Sequence, residues 1–197
     1  MRDVRVRLEA MVEGLRDNPR VEVVSARIGD PAGEADLSGV EKSAPADVLD
    51  FYREVGSFSL EWRHTVAELA EGDLADQGYV NILPITEVYG DWAGNVWFPG
   101  EDETFREVKP FDAFVPEACA AFTDGPHVAY HYYGEELEDT GRTFAEWFEL
   151  LLVSRGYWYW IQTLCAETVD SHEAEAFRRV MPEVFPDVDL SAFRPRV

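Results

Sequence analysis

The sequence predicts an α+β fold: a single domain over residues 1–197, with a mostly antiparallel sheet packed against amino- and carboxy-terminal helices. Three observations lead there. In "SFSLEWR", Phe58, Leu60 and Trp62 alternate strictly with Ser57, Ser59, Glu61 and Arg63, the period of a half-buried strand. Short apolar runs then recur between turn residues, too closely spaced for a helical crossover each, so most should pair antiparallel. Both ends of the chain carry helical spacing instead. At 197 residues and 46% apolar, the chain is long enough to bury a core of its own.

Taken in order, Val4, Leu8, Met11, Val12 and Leu15 recur by threes and fours, which predicts an amphipathic helix over 2–17, broken at Asn18-Pro19. "VEVVSARIG" (21–29) is β-branched and reads as a strand. Residues 29–46 are small, polar and punctuated by Gly and Pro, which predicts a loop with local disorder. Val48, Phe51, Tyr52 and Val55 mark one helix face, with Gly56 at the C′ position. After Trp62, "YVNILPI" (79–85), "NVWF" (95–98), "ACAAFT" (118–123) and "HVAYHYY" (127–133) are the remaining strand candidates. Thr143 and Glu146 have capping-box spacing ahead of the stripe Phe144, Trp147, Phe148, Leu151 and Leu152. A last helix runs through Ala174, Phe177, Val180, Met181 and Val184 to Pro186.

Between those two helices lies "SRGYWYWIQTLC", with four consecutive rings, Tyr157, Trp158, Tyr159 and Trp160. They form either a gripping surface or the inside of the fold. Four successive helical positions point in four directions, so a helix here is apolar nearly all round, and such helices are buried. The expectation is core, with the polar ends of Tyr and Trp at its edge.

Catalytic signatures are absent: no G-x-S-x-G, no phosphate-binding glycine loop and no H-E-x-x-H. The chain is expected to be no enzyme and to need no cofactor. His127 and His131 share one strand face, and with Glu135 or Glu136 they could hold zinc. The third ligand would lie beyond Gly134 in a turn, so structural histidines are expected instead. Cys119 and Cys165 sit in apolar segments without metal spacing, as buried thiols of a reducing cytoplasm do. No signal-peptide pattern and no long apolar run is present, so the expected location is cytoplasmic.

Charge narrows the partner. Formal net charge is −22, a field that repels nucleic acid and anionic membranes and attracts basic proteins. It is uneven: residues 61–139 hold 18 acidic and three basic side chains. Two clusters, "EDETFRE" (101–107) and "EELED" (135–139), fall in loops at strand ends, where binding surfaces are commonly built. Glu101, Asp102, Glu103, Glu135, Glu136, Glu138 and Asp139 are therefore the candidate partner-binding residues, against the plainer reading of a solvated face.

"VLDFYREVGSFSLEW" (48–62), "NILPITEVYGDWAG" (81–94) and "HYYGEE…TFAEWFELLLVSRGYWYW" (131–160) together resemble the SUKH superfamily, named partly for the yeast Smi–Knr cell-wall regulators. The matching positions are Tyr52, Gly56, Leu60 and Trp62, then Ile82, Leu83 and Pro84, then the F-x-E-W helix start at Phe144. The likeness spans about 43–165, leaving 1–42 and 166–197 as extensions; Val55-Gly56 stands where members often have Asn-Gly. The resemblance implies an α+β fold without a catalytic site. In bacteria it implies an immunity protein that neutralises a toxin, often a nuclease; in eukaryotes, a regulatory interaction module. It carries over no functional residue.

Overall fold

A computed structural model describes residues 1–65, 77–92, 96, 108–132 and 137–196. Chain order is α1 (Val4–Arg16), β1 (Val21–Ile28), α2 (Glu34–Val40), α3 (Ala46–Tyr52), β2 (Phe58–His64), β3 (Gln77–Ile82), α4 (Ile85–Val88), β4 (Lys109–Val115), β5 (Ala118–Phe122), β6 (Val128–Tyr132), β7 (Leu137–Asp139), α5 (Phe144–Ser154), a 3₁₀ helix (Trp160–Leu164) and α6 (His172–Val184). The seven strands form one sheet in sequence order, every neighbour antiparallel. The fold is α+β.

One face of the sheet meets the helices. Phe58, Leu60 and Trp62 of β2 are buried, as their alternation predicts, beside Val80 and Ile82 of β3. Phe111 of β4 stacks on Phe122 and meets Phe144 and Trp147 of α5 edge-on. The expected face of α1, Val4, Leu8, Met11, Val12 and Leu15, is buried to the last residue. Thr143 and Glu146 form the reciprocal capping box of α5, and Ser171 caps α6 through Ala174 N. The other face buries a small cluster at β5, Cys119 and Ala121 with Val96 and Val108. On β2 and β3, alternate residues Ser59, Glu61, Gln77, Tyr79 and Asn81 are half-buried.

Several expectations need correction. Residues 29–46 contain a helix, α2, none of whose residues is buried; Leu37 and Val40, one turn apart and half-buried against the core, are too few to show a period. Gly56 is not a helix C′ glycine: α3 ends at Tyr52, and no positive φ is needed at Gly56. Its N–H donates to Asp30 O at 2.8 Å, and a Cβ there would overlap that carbonyl oxygen. Close approach of the backbones is what requires glycine. Strands β4 and β7 were not foreseen. "NVWF" lies outside the described residues except for Val96, which is buried.

The ring segment does not form the continuous helix expected: three of its four rings are buried, and only Trp160 is helical, as the first residue of the 3₁₀ helix. Helix α5 stops at Ser154 because Arg155 and Gly156 both take left-handed conformations, φ 53° and 65°. The chain then runs beside β3: Tyr79 N donates to Gly156 O at 2.8 Å and Trp158 N to Gln77 O at 3.0 Å. Strand β4 pairs with β3 only at Ile82–Asp112, so 156–158 takes its place beside the other half of β3. Tyr157 is fully buried, and Tyr159 and Trp160 are nearly so.

Candidate partner-binding surface

Of the acidic residues singled out by sequence, Glu101, Asp102, Glu103, Glu135 and Glu136 lie outside the described residues. Glu138 and Asp139 are on β7, an outer strand of the sheet. Both have work inside the chain. Asp139 Oδ2 is 3.0 Å from His127 Nδ1 and its Oδ1 accepts from Gly141 N at 2.6 Å. Glu138 Oε2 accepts from Glu167 N at 3.1 Å. The strand register places residues that flank the two clusters. Lys109, which closely follows the first, aligns with Phe122 and Val128 at one end of the sheet. Tyr132, which precedes the second, aligns with Ala118 at the opposite end. The chain therefore enters β4 at one end of the sheet and leaves β6 at the other, and β7 carries Glu138 and Asp139 back toward the first, with Asp139 aligned to Ala129.

The histidines do not converge. His131 is buried on β6, whereas His127 is half-exposed and engaged with Asp139. Among the described residues no three His, Cys, Asp or Glu side chains are grouped as metal ligands; Glu135 and Glu136 lie outside them. Cys119 and Cys165 are both buried thiols, not joined to each other. Burial pushes the Cys165 thiol well above its ordinary range, which leaves it unreactive. Among the described residues no helix is long and apolar enough to cross a membrane.

Two features remain that sequence reasoning missed. The first is a groove of about 610 Å³ on the sheet face away from the helices, lined by Glu61, Gln77, Tyr79, Phe114, Pro116 and Trp158, with Arg63 beside Glu61. It exists because Tyr157 bridges to Gly78 of β3 as a strand residue would. Successive side chains of an extended segment point to opposite faces, so Tyr157 enters the core while Trp158, half-buried and stacked on Tyr159 at 5.7 Å, lines the groove. Only part of the signal was available: Gly156 ends the helical stripe, but Trp160 returns to the core as the first residue of the 3₁₀ helix, so no single period divides the rings between faces.

The second is Asp112, buried at 2% exposure where β4 leaves β3. Its Oδ1 accepts from Asn81 N at 2.7 Å, doing the work of a ladder carbonyl. Burial pushes its carboxyl up to about 7, and the Asn81 bond pulls the other way. A further cavity, about 410 Å³, is lined by Asp47, Tyr89, Lys109, Asp124, His127 and Phe144 among others. Its Asp47 is committed to structure, accepting from Ala145 N at 3.0 Å in the first turn of α5.

No family model matches the chain, and no curated protein and no solved structure matches it.

Proposed function

We propose that the chain is a non-catalytic protein-binding domain, an immunity protein that binds and neutralises a basic toxin such as a nuclease in the cytoplasm. The observation that carries the reading is the groove lined by Tyr79, Phe114 and Trp158 on the sheet face opposite the helices. Aromatic side chains gathered in a concave patch are the composition of an interface core. The charge of −22 supplies the complement to a basic partner and would speed its encounter. The resemblance of residues 43–165 to the SUKH superfamily points the same way. A nuclease active site is basic, and an acidic protein occupies it by mimicking the polyanion.

The test is growth. The product of the adjacent reading frame, expressed alone, should arrest its host, and co-expression with this chain should restore growth. A harmless neighbour counts against the toxin reading. The second reading is a regulatory interaction module, which the mixed charge at the groove, Glu61 beside Arg63, favours. Its partner would be recovered by pull-down with the wild type and lost with Trp158→Ala.

A further inference from the structure

Arg142 is a buried cation with no carboxylate partner among the described residues. It is 5% exposed, and its Nη2 donates to two neutral acceptors, Ala192 O at 3.2 Å and Arg194 O at 3.0 Å. Its Nη1 is also buried and makes no hydrogen bond. Aspartates and lysines escape such burial by shedding their charge; a guanidinium does not deprotonate in proteins. A buried charge is stable only when paired, and no described side chain supplies Arg142 with a counter-ion.

The surroundings are built to hold it. Phe193 is buried against Trp160, 6.0 Å between ring centroids, and Phe177, 4.9 Å. That anchor fixes the carbonyls on either side of it, Ala192 and Arg194, against the guanidinium. Arg196 comes back over Gly141, donating to its carbonyl at 3.1 Å and to both Glu146 oxygens at 3.0 and 2.6 Å. Gly141, at φ 62°, lets the tail lie that close, since a Cβ there would press on Arg196 at 3.2 Å.

Arg142, Ala192, Arg194, Pro195 and Arg196 line a cavity of about 560 Å³. Of the three arginines there, Arg196 is paired with Glu146, while Arg142 and Arg194 have no carboxylate partner among the described residues. We propose that this cavity binds an oxyanion, the phosphate or carboxylate group of a metabolite-sized molecule. The volume suits such a ligand, and the planar fork of arginine matches paired anionic oxygens. The field of a chain at −22 repels anions elsewhere, so affinity here comes from local geometry. The site is separate from the groove and does not depend on the partner reading.

Calorimetry and melting temperature test it, with inorganic phosphate and citrate as the two probes and sodium chloride of equal ionic strength as the reference. At tenfold excess over its Kd, a bound probe should raise the melting temperature by about 3–6 °C beyond chloride. A response to phosphate alone names a phosphate ligand, and one to citrate alone names a carboxylate. Arg194→Gln alters an exposed side chain and should weaken binding at least about fivefold. Arg142→Lys keeps the charge, loses the fork and should weaken it further; if that variant does not fold, Arg194→Gln decides. The proposal is overturned if neither probe exceeds chloride, or if Arg194→Gln binds as tightly as the wild type.

Discussion

The Trp62 indole donates to the Arg155 carbonyl oxygen across 2.7 Å, which ties the second strand to the left-handed turn that ends α5. The indole is fully buried and meets Phe185, just beyond α6, edge-on at 5.6 Å. The Arg155 guanidinium lies over the other side of that junction, 4.1 Å from the Phe185 ring centre. Sheet, α5 and α6 therefore converge on one side chain. Trp62→Phe keeps most of the ring but strands the Arg155 carbonyl, which should cost about 1–3 kcal/mol. Trp62→Ala should cost about 3–5 kcal/mol. Urea unfolding measures both, and a Trp62→Phe midpoint equal to the wild type would mean the carbonyl has found another donor.

Three glycines should respond in opposite directions. A Cβ at Gly78 would overlap the Trp62 indole, and one at Gly156, where φ is 65°, would overlap Val80. Both alanine variants should lose about 1–3 kcal/mol or more, since neither the ring nor the turn can yield cheaply. At Gly14, within α1, a Cβ meets nothing inside 4 Å. Gly14→Ala should therefore gain about 0.5–1 kcal/mol from helix propensity. A thermal-melt comparison of the three needs only the signs.

Asp112 makes stability depend on pH in an unusual direction for a carboxyl group. Its folded pKa, about 7, lies above the ordinary aspartate value. The folded state thus holds a proton that the unfolded chain has released. The associated stability is fully present below about pH 4 and is lost as pH rises to about 7, with no further change above. A difference of about three pKa units bounds the effect at about 4 kcal/mol. Asp112→Asn retains an acceptor for Asn81 N and cannot ionise. The stability difference between it and the wild type, followed from pH 4 to 8, should grow with pH and level off near 7. A constant difference would mean that Asp112 does not titrate in that window.

Asp112 also explains why β4 was hidden. "KPFDAFV" has no clean alternation, because irregularities at Pro110–Asp112 and Asp112–Val115 bury five of its seven residues. A charge in the middle of such a run reads as a loop until the Asn81 bond is seen. Strand β2, α1, the capping box of α5 and α6 were legible because each buries one face at a regular period. The ring segment was half legible. Its burial follows from apolar content, but its shape follows from three left-handed residues, Arg155, Gly156 and Tyr159, of which only the glycine carries such a signal. The groove was invisible for the same reason: it is made by residues far apart in sequence, Tyr79, Phe114 and Trp158.

Within the acidic clusters, Glu138 and Asp139 already have hydrogen-bond partners inside the chain. Asp139 holds both His127 and Gly141 N, so Asp139→Asn should lose roughly 0.5–1.5 kcal/mol whatever the partner. A clean test instead neutralises Glu101, Asp102 and Glu103 together, or Glu135 with Glu136. If charge steers a basic partner, association should slow in these variants while dissociation barely changes. The deficit should shrink at 1 M salt, where the Debye length is about 3 Å. Stopped-flow rates at two salt concentrations separate the cases; equal rates in both variants would return the acidity to solubility alone.

Trp158 and Trp160 are neighbours with opposite assignments, which makes them the sharpest test of the groove. Trp160 is buried against Trp147 at 5.8 Å between ring centroids and against Phe193. Trp160→Ala should cost about 3–5 kcal/mol of stability. Trp158 is half-buried and stacks on Tyr159. Its truncation should cost far less folding energy, about 0.5–1.5 kcal/mol for the lost stack. As an anchor in a protein interface it should cost at least about 2 kcal/mol of binding, some thirtyfold in Kd. Melting temperature and partner affinity measured on the same preparations separate the two roles. If Trp158→Ala binds its partner as the wild type does, the groove is not the interface, and the search moves to the acidic clusters.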